Sequence, residues 1–209
     1  MSNYIYQFWS RGYRELKNEE DTLLYYSNTY KTSKKDNEKE AKKYLKQIKT
    51  SEQWARYAYD NNLEFCICKI EDGRVASYIK QDITGDITTF FLDEHKRVFM
   101  YYVFRKQSNG MYFCIGMMFW EFKENSTSDD DDLKSWIYTF ETDGTVKVIE
   151  QEKDAEEACE WTSKRPLNVE SNWEKRPEFG EWDGFFKMKR WEKGELDEAF
   201  KGLPSGQIN

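Results

Sequence analysis

Histidine is almost missing from this sequence: His95 is the only one in 209 residues. It stands in Asp93-Glu94-His95-Lys96, a run read as a turn, where an imidazole is ordinarily solvated. Its scarcity removes the commonest general base and the commonest metal ligand. Cysteine does not replace it. Cys66 and Cys68 lie two apart in a strand-like run and share one face. That is not the C-x2-C spacing of a zinc site, and neither Cys114 nor Cys159 supplies a second pair. The four are read as free thiols behaving as small hydrophobes. Nucleotide-binding glycine loops, the nucleophile elbow and H-E-x-x-H are all absent. A Cys–His dyad of His95 with Cys114 or Cys66 is the one nucleophilic arrangement left, and a turn histidine is a poor partner for it. The expectation is a chain with no catalytic residues, no metal and no cofactor.

Long apolar runs are absent too. The richest, Met111 to Trp120, is too short to cross a bilayer. Met1-Ser2-Asn3-Tyr4 lacks the basic start and apolar core of a secretory signal, so a cytoplasmic protein without membrane contact is expected. Asn125-Ser126-Thr127 is a glycosylation sequon without consequence in that compartment. Positive charge is outweighed, 32 cationic residues against 39 acidic ones. An acidic surface repels nucleic acid and attracts basic partners. The lysine-rich stretch 31–50, with Tyr44 and then Trp54 and Tyr57, has the texture of a nucleic-acid contact, but the overall charge opposes it. Residues 124–160 carry thirteen carboxylates against Lys134, Lys147 and Lys153, a local charge of about −10. Asp129, Asp130, Asp131 and Asp132 form an unbroken run there. Such a run serves as a solvated loop, or steers a basic partner.

Aromatic residues, by contrast, are abundant at 17%, beside 34% charged residues. That combination excludes disorder and implies a substantial core under a wet surface. Residues 1–62 read as helical. Glu19 to Tyr30 is one candidate helix. Ala41, Tyr44, Leu45 and Ile48 give an apolar stripe for a second. Thr50-Ser51-Glu52-Gln53 is a capping box that opens a third, ending at Asn61-Asn62. The initial "YIYQFWSRGY" is ambiguous.

From Leu63 the texture becomes β. Seven runs rich in β-branched and aromatic residues alternate with turn signals up to residue 151. Asp72-Gly73, Asn109-Gly110 and Asp143-Gly144 mark type I′ hairpins. "SWIYTFE" reads as half-buried near an edge, and "MYFCIGMMFW" as a central strand covered on both faces. The fold class expected is α+β: an antiparallel meander of about seven strands (63–151), helices segregated to the N-terminus (1–62), and an irregular or helical C-terminal cap (152–209), all in one domain. The helices are expected on one sheet face and the C-terminal segment on the other.

That segment holds "NWEKRPEFGEWDGFF", Asn172 to Phe186, with neither helical nor strand periodicity. Its aromatics read as a plug over the sheet. Together with the Asp143-Gly144 hairpin, the residues Asn172, Trp173, Glu174, Pro177, Phe179, Gly180, Trp182 and Asp183 resemble the closing pattern of small bacterial immunity-type proteins of polymorphic toxin loci. The resemblance implies a cytoplasmic, non-catalytic protein that neutralises a cognate toxin by direct binding. The expected partner is a basic toxin domain, reached by Asp129–Asp132 and by Trp173, Glu174, Glu178, Trp182 and Asp183. Three other functions stay open. One is a small-molecule-binding half-barrel lined by Phe99, Tyr101, Phe113 and Phe119; another is a hydrolase or transferase with carboxylate chemistry and no sequence motif; the last is a phage-borne or accessory inhibitor of a host factor.

Overall fold

A computed structural model describes residues 3–29 and 35–191. Three helices precede the long strands: α1 (Glu19–Thr29), α2 (Lys35–Leu45) and α3 (Ser51–Asn61). The capping box forms as the sequence implies. Thr50 Oγ1 accepts from the Gln53 amide and Gln53 Oε1 accepts from the Thr50 amide, each at 3.3 Å. Asn62 closes α3 in the left-handed region at φ 50°, with its N–H on the Ala58 carbonyl. Ile48 falls beyond α2 yet still packs on the core with Tyr44 and Leu45.

The seven expected strands are all present: β4 (Phe65–Glu71), β5 (Arg74–Gln81), β6 (Ile87–Leu92), β7 (Val98–Lys106), β8 (Tyr112–Phe122), β9 (Asp132–Phe140) and β10 (Val146–Glu152). Each pairs antiparallel with the next. Three short strands enlarge the sheet to ten: β1 (Tyr4–Ile5) beside β4, β11 (Cys159–Thr162) beside β10, and β12 (Trp173–Glu174) beside β8. A separate hairpin joins β2 (Trp9–Ser10) and β3 (Glu15–Leu16). Strands of two to four residues carry too little alternation to be read from sequence.

β8 has two neighbours on one side. Ile115 is an unmatched bulge residue between the pairs Val103–Gly116 and Phe104–Cys114. Beyond it β9 pairs from Gly116 to Phe122, and before it β12 pairs with Tyr112 and Phe113. A Cβ on Gly116 would stand 3.3 Å from the Tyr138 carbonyl, so the fork is tight.

The hairpin turns are more uniform than the dipeptide signals implied. Only Asp72-Gly73 has positive φ at both centres, as type I′ requires. At Asp82–Asp86, Asp93–Arg97, Gln107–Met111 and Glu141–Thr145 the first residue bonds the fifth, and the fourth residue is left-handed. That fourth residue is Gly85, Lys96, Gly110 and Gly144 in turn. Such a turn needs one positive φ, so glycine is wanted at one place only.

The covering of the sheet differs from expectation. Helix α3 and the C-terminal segment lie on the same face. Trp54 and Tyr59 share one core with Ile67, Ile79, Tyr102, Phe104, Trp182, Phe185 and Trp191. Among the described residues the opposite face is covered around β4 and β5 and at the joined ends of β6 and β7, where Trp9 packs with Cys66, Cys68, Val75, Tyr78, Leu92 and Val98. Strand alternation reveals which faces are apolar, not which distant segment lies on each. "YIYQFWSRGY" therefore supplies both an edge strand and the second face's cover. β8 is buried on both faces at Tyr112–Cys114, but Phe119 is 36% exposed. β9 lies two strands from the β11 edge, half-buried as read, although Ser135 is buried.

Candidate partner-binding site

The opening residues of the C-terminal motif are core. Asn172 is fully buried; its amide donates to the Cys114 carbonyl at 2.9 Å and its oxygen accepts from Trp191 Nε1 at 3.0 Å. Trp173 then pairs with Phe113 in the sheet and packs on its ring. The Glu174 carboxylate accepts from Arg190 at 2.9 Å and from Lys187 at 3.0 Å. The Arg190 side chain has no solvent exposure. It also donates to the Ser171 and Gly184 carbonyls and lies 4.5 Å from the centroid of Phe104. A Cβ on Gly184 would meet Glu174 Oε2 at 2.4 Å, so a side chain there would have to shift the paired carboxylate.

The second half of the motif is a plug with a wet rim. Trp182 is fully buried, edge-on to Tyr59, and its indole N–H faces the Tyr6 hydroxyl at 3.4 Å. Phe179 stacks on Tyr6, with the Arg56 guanidinium 4.2 Å from its centroid. The Tyr59 hydroxyl donates to the Pro177 carbonyl at 2.8 Å. Asp183 is exposed and accepts from the Tyr4 hydroxyl. Glu178 is exposed and faces an open cavity of about 580 Å³, with Lys175, Arg176 and Glu181 on its walls. Of the five sequence-assigned residues here, Glu178 and Asp183 face solvent; Trp173, Glu174 and Trp182 hold the fold.

The acidic run is also partly committed. Asp129–Asp131 form a 3-10 turn capped by the Ser128 side chain. Asp129 pairs with Arg14 at 3.1 Å, and Asp132 with Lys153 at 3.9 Å. Asp131 accepts from Ser126 Oγ at 2.5 Å, and that hydrogen bond holds its carboxyl below the usual aspartate range. Asp130 is exposed, and its carboxylate has no partner among the described residues. Arg14 and Arg97 further tie this loop through the Thr127 and Ser128 carbonyls.

These two groups do not form one site. Tyr112 pairs with Glu174 and Phe122 pairs with Asp132, at opposite ends of β8. The strand spans about 33 Å between them, at about 3.3 Å per residue. A small ligand cannot touch both, whereas a protein surface can.

The structure brings out a third region that sequence reasoning passed over. Phe90, Tyr101, Met118, Ile137 and Ile149 are directly paired in turn across β6 to β10. They make one lateral row, about 19 Å long at about 4.8 Å per strand. It lies on the face of the Trp9 cluster; Phe90 and Tyr101 pack against that cluster, and Met118, Ile137 and Ile149 lie beyond it. Phe90, Tyr101, Met118 and Ile149 are half-buried, and Ile137 is 39% exposed. Glu160 on β11 ends the row. The only sequence hint was Ile137 among the polar positions of "SWIYTFE".

The chemistry elsewhere is quiet. Cys114 is buried and its thiol is pushed up to about 12 by desolvation. Burial likewise raises Cys68. His95 sits in the β6–β7 turn with Nε2 3.6 Å from Glu94. Among the described residues no group of three His, Cys, Asp or Glu is placed to hold a metal, and no helix is long and apolar enough to cross a membrane. Phe99, Tyr101, Phe113 and Phe119 line neither the 580 Å³ cavity nor a second of about 450 Å³ beside Lys80 and Phe90. Phe113 packs on Trp173, Phe99 meets Phe119 edge-on, and Tyr101 packs on Phe90 and Trp120. No protein-family model, curated protein or solved structure matches the chain.

Proposed function

We propose that the protein is a non-catalytic binding protein that neutralises a basic toxin domain by direct contact. The observation that carries this reading is the apolar row Phe90–Tyr101–Met118–Ile137–Ile149, whose Met118–Ile137–Ile149 end lies outside the cluster around Trp9, on a sheet whose last strands bear a charge of about −10 over residues 124–160. An apolar centre with a charged surround is the anatomy of a protein-binding surface. Aromatic and aliphatic anchors give affinity there, and the carboxylates raise the rate of encounter with a cationic partner. Toxins that cleave nucleic acid carry basic clefts, which such a surface complements. The resemblance of the 172–183 motif to immunity-type proteins agrees with this class, although most of that motif is spent on folding.

Affinity capture from the native cells at low salt tests the proposal. The expected result is one stoichiometric basic protein, released by moderate salt, whose expression alone arrests growth and whose arrest is lifted by co-expression of this chain. A captured protein that is harmless, or whose toxicity co-expression leaves unchanged, overturns it.

A further inference from the structure

The two edges of the main sheet are finished differently. At the β4 edge, β1 pairs with Cys68 and Lys69, and Phe65 to Cys68 are almost completely buried. Beside β8, the fork is filled by β12. At the far edge β11 pairs with β10 alone, Glu160 and Thr162 are exposed, and Cys159 and Trp161 are half-buried.

The register fixes which backbone groups are spare. Ser163 N–H donates to the Val146 carbonyl at 2.8 Å, and Thr162 stands opposite Lys147. In an antiparallel ladder hydrogen-bonded and non-bonded pairs alternate. Trp161 and Cys159 therefore bond toward β10, whereas the N–H and C=O groups of Glu160 and Thr162 point outward. Among the described residues nothing pairs with them. An open edge of this kind is a template for an added strand.

The chemistry of that strand follows from the surroundings. The β10–β11 hairpin carries Glu150, Glu152, Asp154, Glu156, Glu157 and Glu160 against Lys147 and Lys153. Residues 152–158 are all exposed. A residue of an added strand opposite Glu160 stands just past the end of the row, and lysine or arginine there meets a carboxylate. Lys164 and Arg165 follow β11, so the basic end of the occupant belongs beside the Asp154–Glu157 loop. We propose that β11 is a docking edge, on which an extended segment of the partner with lysine or arginine at alternate positions adds as the next strand. This deepens the binding reading above and rests on it for the class of partner.

Backbone amide exchange, followed by NMR on the 15N-labelled chain, tests the edge without the partner. The probe is the peptide acetyl-Lys-Val-Lys-Val-Lys-Val-Lys-amide, with its Glu-for-Lys counterpart as control. The expected result is slowing of exchange by at least about tenfold at the Glu160 and Thr162 amides, with the Trp161 amide unchanged because it is already bonded. Glu160→Pro removes one outward donor without touching the β10 ladder, and should abolish the slowing at an unchanged Tm. No slowing at either amide up to about 1 mM peptide, equal binding of the acidic counterpart, or retained binding by Glu160→Pro each overturns the proposal. A toxin neutralised equally by the Glu160→Pro protein would remove edge docking and leave neutralisation standing. Slowed amides without any toxin neutralised would do the reverse.

Discussion

Asn172 satisfies two buried groups at once, the Cys114 carbonyl and the Trp191 indole N–H. Asn172→Ala strands both, and a loss of about 2–4 kcal/mol is expected in chemical denaturation, with little change in m-value. Arg190 and Glu174 make a buried ion pair, and removing Arg190 leaves Glu174 with only the more exposed Lys187 as a cationic partner. Arg190→Met should lose about 3–5 kcal/mol, and Glu174→Gln in the same chain should restore part of it; a double mutant no better than the single would show that the aromatic packing of Arg190, not the charge, dominates. At the surface, the Thr145 amide holds the Asp143 carboxyl below its usual range, and the Ser126 hydroxyl does the same for Asp131. A depressed folded-state pKa contributes stability that is present above the unfolded value of about 3.9 and lost as pH falls through the folded value. The paired variant Asp131→Asn/Asp143→Asn should therefore show a shallower fall of Tm below about pH 4 than the parent. Residue types in this motif were legible as important, but their roles were not. Nothing in "NWEKRPE" says that the asparagine lies beneath the surface while Glu178 lies on it, because the partners come from β8 and from residues 184–191.

The repeated hairpin turn gives the predictions at the scale of elements. Four turns share a left-handed fourth residue, and three of them supply glycine. Lys96, at φ 62°, is the exception. A side chain costs roughly 1–2 kcal/mol in that region, so Lys96→Gly should raise stability by up to about 1 kcal/mol after the added chain entropy is counted. Gly110→Ala and Gly144→Ala separate conformation from space. Both glycines have positive φ, but a Cβ at 110 meets nothing within 4 Å, whereas at 144 it would stand 2.5 Å from the Leu167 carbonyl. Gly144→Ala should thus be the more damaging, and equal Tm losses would contradict the packing of residues 166–167 on that turn. The seven long strands and the capped helix were readable because each carries its own period or cap. The short strands β1, β11 and β12 were not, since a strand of two to four residues exists only where a neighbour offers an edge.

For the whole molecule the salient feature is an asymmetry of cover. Both α3 and the C-terminal segment pack on one face, and on the other the buried cluster around Trp9 reaches only as far as β7 among the described residues. Charge is asymmetric along the same direction, so partner association should slow steeply with ionic strength. Asp130→Lys should reduce the association rate and the salt slope without loss of stability, because Asp130 is the one member of its run with no partner among the described residues. Asp129→Lys should also destabilise the loop through Arg14. Ile137→Asp, in the middle of the apolar row, should instead raise the dissociation rate by about tenfold or more at unchanged Tm. The sequence by itself determined the strand count of the meander, the starts of α1 and α3 and the uneven charge, since these depend on local periodicity, capping and composition. Only the tertiary structure decided that the aromatic C-terminal motif is mostly core, that the two covers share a face, and that one sheet edge has no pairing strand among the described residues. Those outcomes depend on which distant segments meet, and the pairing of surfaces far apart in the chain is set by complementary shape and buried polar partners that no local pattern records.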